Sequence, residues 1–441
     1  MTMLAITAGM LVCSGDKVLC QAGFVIKDGK VTAVMVNKDL EQWALSHDCS
    51  LVDASDAVVI PGFIDAHTHQ YGLFSHGIPM DVPVAGFREF LEDFWWPRIE
   101  NRLQIENVTV SALFSGAEMI RSGVTGFCDT LEAPYALPKV LVQQAGEIEK
   151  LGLRAILSLE SSERISEENG VACLEENRSF IEWCRKRQSL IQGMICTHTS
   201  FTCSPSFLRK AQSLAEEYGV KWHFHISEST YESEYCLRQY GKRAVQFYHE
   251  AGLLSPQVLA SQCVQIDAAE RQMLQKSGAG AVHMPLSNCE VGGGIAPVPE
   301  MLAAGMQVGL GSDGYITDFF SVMRGAFLIH KGNLQNASVM PAQEVFKMAT
   351  EYGAKVLGWA DVGRLEPGYA ADFVILDNLF PTPLTRKNVF DQLVVHGARE
   401  MVRSVFVAGN PVMLDHKLQQ VDIQVAGAAL KNQVSVFWEE Q

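Results

Sequence analysis

From residue 58 to about residue 358 the chain alternates short apolar runs with amphipathic stretches of helical period. The runs at 58–66, 124–129, 154–159, 193–199, 220–226, 258–266, 280–285 and 307–311 have the length and β-branched content of strands. Between them, segments such as 105–122, 204–218, 230–251 and 268–276 place apolar residues on one helical face. Ser204-Pro205 is a helix start, a capping serine with proline in the first turn. This alternation predicts parallel strands joined by crossover helices, and eight such units predict a closed (β/α)8 TIM barrel.

The two ends of the chain follow another pattern. Residues up to about Asp56, and those after Leu365, show short alternating runs and turn signals such as Gly29-Lys30 and Gly409-Asn410-Pro411. Neither end is long enough to bury a good core alone. The predicted architecture is therefore α/β: residues 1–57 and 363–441 pair into one small β-sandwich, and the barrel of residues 58–362 interrupts it.

Polar residues break the apolar pattern at one place in each unit. His67, His69, Asp129, Glu160, His198, His225, Gln262, Asn288 and Asp313 all fall at or near the C-terminal ends of the strand runs. That rim is where a barrel of this kind carries its chemistry. On a strand, residues i and i+2 share a face, so His67 and His69 converge on one point. His225 adds a third imidazole, and Asp313 in Gly311-Ser312-Asp313-Gly314 adds a carboxylate. Singly, an H-x-H is often surface histidine and a G-S-D-G is often only a turn. Together at strand ends they are a ligand set for a divalent metal with a position left open for water. Glu228 lies three residues beyond His225, where it can carry a proton from that water to a leaving nitrogen.

Composition narrows the partners. The 441 residues are 48% hydrophobic and 19% charged, with a formal net charge of −15. Such a surface disfavours nucleic acid and anionic membranes, so a small-molecule ligand is expected. No apolar stretch reaches membrane-spanning length, and the first residues lack a basic start and small-residue cleavage site. The 11 cysteines are an odd number without a C-x-x-C pair. That predicts reduced thiols in a cytoplasmic protein, and it removes the cytidine-deaminase type of zinc site.

With these residues placed, the chain resembles the amidohydrolase superfamily along nearly its whole length. The branch is that of metal-dependent aminohydrolases, which includes guanine deaminase, the methylthioadenosine and S-adenosylhomocysteine deaminases and the triazine chlorohydrolases. Pro61–His69 looks like that branch's opening motif, and the segment Phe94 to Glu100 like its pocket-covering loop. Residues 121–125, 283–288, 292–297 and 362–372 resemble further family segments. The resemblance implies that His67, His69, His225 and Asp313 bind one metal ion, zinc ahead of iron. It makes Glu228 the proton shuttle, with Asp313 assisting, and implies a homodimer. Binuclear relatives use a carboxylated lysine on the fourth strand; residues 193–198 contain none, so one metal is expected. His198 corresponds to a substrate-contacting histidine, Asn288 lies in a family motif, and Trp95 is a candidate to stack on a planar ring.

One departure stands out. Relatives carry histidine on the sixth strand where this chain has Gln262, and Gln265 fills a second histidine slot. An amide donates and accepts hydrogen bonds but carries no proton at neutral pH. Gln262 is therefore expected to position substrate rather than to act in acid–base steps. The expected reaction is hydrolytic deamination at a C–NH2 or C=NH carbon of a small nitrogen heterocycle or cyclic amidine. Displacement of halide or alkylamine from a triazine-like ring is the alternative, and a non-catalytic scaffold relative is the third reading.

Overall fold

The computed structural model describes residues 3–80, 84, 86–314 and 316–439. Its centre is the expected barrel. The strands are β1 (Phe63–Thr68), β2 (Val124–Leu131), β3 (Arg154–Leu159), a divided β4 (Ile191–Gly193 and Ile195–Cys196), β5 (Trp222–Ile226), β6 (Val258–Gln262), β7 (Gly280–His283) and β8 (Val308–Leu310). All neighbours pair in parallel, β1 to β4 in one ladder and β4 to β8 in the next.

The ring closes through the candidate site residues. Asp313 N donates to the His67 carbonyl at 3.0 Å, and His69 N to the Asp313 carbonyl at 3.3 Å. Beneath them, Asp65 accepts hydrogen bonds from Ser312 N at 3.0 Å and Ser312 Oγ at 2.5 Å. Asp65 shares its strand face with His67 and His69, so the same period-2 geometry that aims the imidazoles also aims this clamp.

The run expected as one strand at 58–66 divides at Gly62. Val58–Pro61 pairs with Phe373–Leu376 and Met10–Ser14 in a seven-stranded sheet drawn from both chain ends. Phe63 onward then enters the barrel. Gly62 permits the crossing, because a Cβ there would run into the Thr125 side chain. A four-stranded sheet of Met3–Ile6, Ala22–Lys27, Lys30–Val36 and Ser50–Val52 faces the larger sheet. Phe24 of one meets Phe373 of the other edge-on, with ring centres 5.2 Å apart.

Two expectations are corrected. The C-terminal part is not all β: Ile423–Glu439 is a helix that packs on Ile105–Arg121. Its Trp438 Nε1 donates to the Phe74 carbonyl at 2.8 Å, behind the loop that follows β1. The stretch 230–251 is two helices, Thr230–Tyr240 and Ala244–Glu250, separated at Gly241, whose φ of +67° suits glycine. Among the described residues no helix is long and apolar enough to cross a membrane.

Candidate metal centre and its cavity

The ends of β1 and β5 bring His67, His69 and His225 together, with one ligand atom from each within 4.8 Å of the others. His69 and His67 are oriented by their second nitrogen. His69 Nδ1 lies 2.7 Å from the Thr130 carbonyl, which fixes the proton there and leaves Nε2 as a lone pair. His67 Nδ1 lies 3.3 Å from Ser261 Oγ, and its buried Nε2 has no hydrogen-bond partner. His225 Nδ1 lies 3.3 Å from Glu160 Oε2, close but not aligned as a hydrogen bond. An orphaned, buried imidazole nitrogen facing two others is costly unless a cation takes the lone pairs. This nitrogen-rich donor set fits a divalent metal.

Charge supports the same reading at His67 and His225. Burial, then the neighbouring imidazoles of His69 and His225, hold His67 well below the usual histidine range. Burial and the same His69 ring push His225 down to about 4. At His69 burial acts downward, but the Glu132 and Asp313 carboxylates outweigh it and the net direction is up. Neutral imidazoles are what a metal requires.

Asp313 stands beside this cluster rather than within its mutual spacing. Its Oδ1 is 3.5 Å from His69 Nε2 and accepts from Gly314 N at 2.7 Å. Its Oδ2 accepts from Gln262 Nε2 at 2.9 Å. The Gln262 side chain, expected to serve substrate alone, is thus tied to the carboxylate as well. Both residues adopt left-handed backbone, φ +78° at Gln262 and +61° at Asp313. Cys263 (+50°) and Ser227 (+52°), at the ends of β6 and β5, do the same. Such conformations are uncommon outside glycine and concentrate at functional sites.

These groups form one end of a cavity of about 670 Å³. His69, His198, His225, Glu228, Gln262 and Asp313 reach its wall, and so does Trp95. Glu228 is displayed by the left-handed turn at Ser227, whose N–H is held by Glu232 Oε2 at 2.5 Å. Its enclosure, then the Asp313 and Glu132 carboxylates, raise Glu228 well above the usual carboxylate range. His198 is buried, with Nδ1 2.9 Å from Thr202 Oγ1, and burial pushes it down to about 3. Trp95 donates to Tyr71 Oη at 3.4 Å and stacks on Phe90. Asn288 is buried outside the cavity lining, where its neighbour Ser287 takes the wall position, and both its amide atoms lack partners. His223 lies below the site, stacked on His67 and 2.5 Å from Ser261 Oγ, the place of a hydrogen-bonded core histidine.

A carboxyl cluster behind the imidazoles has no counterpart in the sequence reading. Glu100, Glu132 and Glu160 are buried together. Burial and then the Glu132 charge raise Glu100 and Glu160, while their hydrogen bonds help hold Glu132 well below the ordinary range. Glu132 thus keeps the negative charge, and Tyr71 Oη donates to its Oε2 at 2.8 Å. Arg164 holds the far side of Glu100 at 2.6 Å. Glu160 stood out at a strand end, but nothing in the sequence shows three carboxyls meeting.

The comparisons with known proteins agree with this geometry. Residues 58–412 match the model of the Amidohydrolase family. The chain is 32% identical over 426 residues to the 5'-deoxyadenosine deaminase of Methanopyrus kandleri, covering 96% of each. It is 32% identical over 403 residues to the 5-methylthioadenosine/S-adenosylhomocysteine deaminase of Carboxydothermus hydrogenoformans, covering 90% of each. An adenosine deaminase structure from Xanthomonas campestris, with bound zinc, superposes with a TM-score of 0.88 at 24% identity, covering 99% of both chains.

Proposed function

This chain belongs to the amidohydrolase family, and from that membership we propose that it is a metal-dependent hydrolytic deaminase of an aminopurine nucleoside or a closely similar heterocycle. The observation that carries the reading is the orphaned Nε2 of His67 facing His69 and His225, at the end of a cavity that also displays Glu228.

We assign His67, His69, His225 and Asp313 as the residues that would hold one divalent ion, zinc ahead of iron. Bound there, the ion would supply Lewis acidity that makes water a nucleophile at neutral pH. The chain's own groups do the rest. Glu228 accepts a proton from the water as its oxygen bonds to the amino-bearing carbon. The raised affinity of Glu228 for protons lets it hold that proton for the leaving nitrogen. The C–N bond then breaks, ammonia leaves with that proton, and the second water proton passes from the oxygen to the adjacent ring nitrogen, so that the ring carbon becomes a carbonyl. Asp313 accepts a hydrogen bond from the incoming water while Gln262 holds its other oxygen. His198 and Trp95 fix the ring against the wall. A leaving nitrogen needs a proton and a halide does not, so this environment of Glu228 favours deamination over halide displacement.

The free state of all 11 cysteines supports a reducing compartment, the cytoplasm. The homodimer rests on the family resemblance. The proposed division into accessory and catalytic parts, expected at residues 57 and 362, is drawn at Gly62 on its first side, because Val58–Pro61 pairs in the seven-stranded sheet of the chain ends. Ammonia release from zinc-loaded protein, screened over aminopurine nucleosides, free purines, pterins and triazines, tests the reading. Chloride or alkylamine release without ammonia would overturn it.

A further inference from the structure

A row of polar side chains runs through the barrel interior behind His67. Cys196 on β4, His223 on β5, Ser261 on β6 and His67 on β1 are all buried. Cys196 Sγ lies 3.3 Å from His223 Nδ1, and His223 Nε2 lies 2.5 Å from Ser261 Oγ. Ser261 Oγ in turn lies 3.3 Å from His67 Nδ1. The row thus crosses four strands and ends on the ring whose other nitrogen, Nε2, is buried without a partner.

The protons available give the row a direction. A neutral imidazole has one N–H, and a hydroxyl has one O–H. With Nε2 of His67 offering its lone pair to a cation, the ring's proton sits on Nδ1 and goes to Ser261 Oγ. The Ser261 proton is then left for the short contact to His223, so His223 Nε2 accepts. The His223 proton sits on Nδ1 and points at Cys196 Sγ. The thiol proton has its own acceptor, the Thr197 carbonyl at 3.8 Å. The opposite order runs from the thiol toward His67 and puts a proton on His67 Nε2, which closes the ligand position.

Resting on the metal-centre reading, we infer that Ser261 and His223 are positioning residues that hold His67 in the tautomer leaving Nε2 free, with Cys196 as the last acceptor. Metal binding at His67 is then readable at His223, which lies outside the ligand set. His223 also stacks on His67, with ring centres 4.9 Å and planes 18° apart. Two kinds of contact therefore join the rings, packing and the hydrogen bonds through Ser261.

Three variants separate these contacts. Ser261→Ala removes one oxygen and is the smallest break in the row. His223→Phe keeps a ring and loses the acceptor, whereas His223→Gln loses the ring and keeps an acceptor within reach of Ser261. Zinc affinity, measured by chelator competition, should fall about 10–100-fold in Ser261→Ala and His223→Phe, the usual range for a group that orients a ligand. His223→Gln should stay close to wild type. Thermal unfolding of the zinc-free proteins checks that each variant is folded. Nitrogen NMR of zinc-loaded protein labelled at histidine, with the His223 signals identified by their loss in His223→Gln, should show the proton on Nδ1 of His223. Wild-type zinc affinity in Ser261→Ala, or a proton on His223 Nε2 in the zinc-loaded protein, would overturn the proposal. Weakened affinity in His223→Gln with none in His223→Phe would do the same, since packing alone would then be at work. Wild-type protein that takes up no zinc would overturn the metal-centre reading, and the proposal with it.

Discussion

The side-chain amide of Gln262 donates from Nε2 to Oδ2 of Asp313 across 2.9 Å, joining the end of β6 to the turn after β8. Only the amide nitrogen can face a carboxylate this way, so the orientation of Gln262 is fixed and its buried Oε1 has no protein partner. A neutral donor steadies Asp313 without competing for its charge. Removing it leaves a carboxylate oxygen unheld beside the metal centre.

Gln262→Ala is therefore expected to weaken metal affinity or kcat/KM by roughly 10–100-fold, the usual range for a group that orients a ligand. Gln262→Glu should be worse, because it sets two carboxylates against each other. Chelator competition and steady-state kinetics measure both effects. Wild-type values in both variants would show that the contact does nothing for the site.

Glu228→Gln keeps the shape of the cavity wall and removes the proton carrier. With general acid–base catalysis contributing ~10²–10⁴-fold, kcat should fall by that order while metal content is unchanged. Near-normal turnover across pH would assign the proton to another group.

What the sequence made legible was local. His67 and His69 follow from the strand period, Glu228 from its offset to His225, and the barrel from alternating runs. Contacts set between strands were not legible: Glu160 against His225, Thr130 against His69, and the Glu100–Glu132–Glu160 cluster all depend on register. The left-handed backbone of Ser227, Gln262 and Asp313 leaves no mark in residue type, since none is glycine. Gln262 was visible as a departure, yet its partner lies in the turn after β8, a strand that is not its neighbour. The C-terminal helix had a signal that the surrounding β pattern obscured. Ala426, Leu430 and Phe437 are its buried residues, at helical spacing.

Purified protein should hold about one divalent ion per chain, as a site of this ligand type does. His67→Ala/His69→Ala should lose it, because the remaining imidazole and carboxylate are too few. Elemental analysis decides the matter. Stoichiometric metal in the double variant would move the site elsewhere.

A second imidazole pair gives a pH dependence separate from the metal. His283 Nε2 and His330 Nε2 lie 3.1 Å apart and both rings are buried. One ring must donate and the other accept, so protonating both breaks the bond. Burial, opposed only by the Glu300 carboxylate, pushes His330 from 6.5 down to about 4, and burial with the His330 ring lowers His283 further. The unfolded chain thus binds protons that the fold refuses. The stability these residues contribute is complete above pH 6.5 and is lost as pH falls toward 4. Each titrating group adds a slope of about 1.4 kcal/mol per pH unit in that window. His330→Asn, which keeps a donor and an acceptor but does not titrate, should be less stable than wild type at pH 7.5 and should lose stability less steeply below pH 6.5. Urea unfolding at stepped pH on metal-loaded protein measures the slopes. Parallel curves for the two proteins would mean that the pair takes no part in acid unfolding.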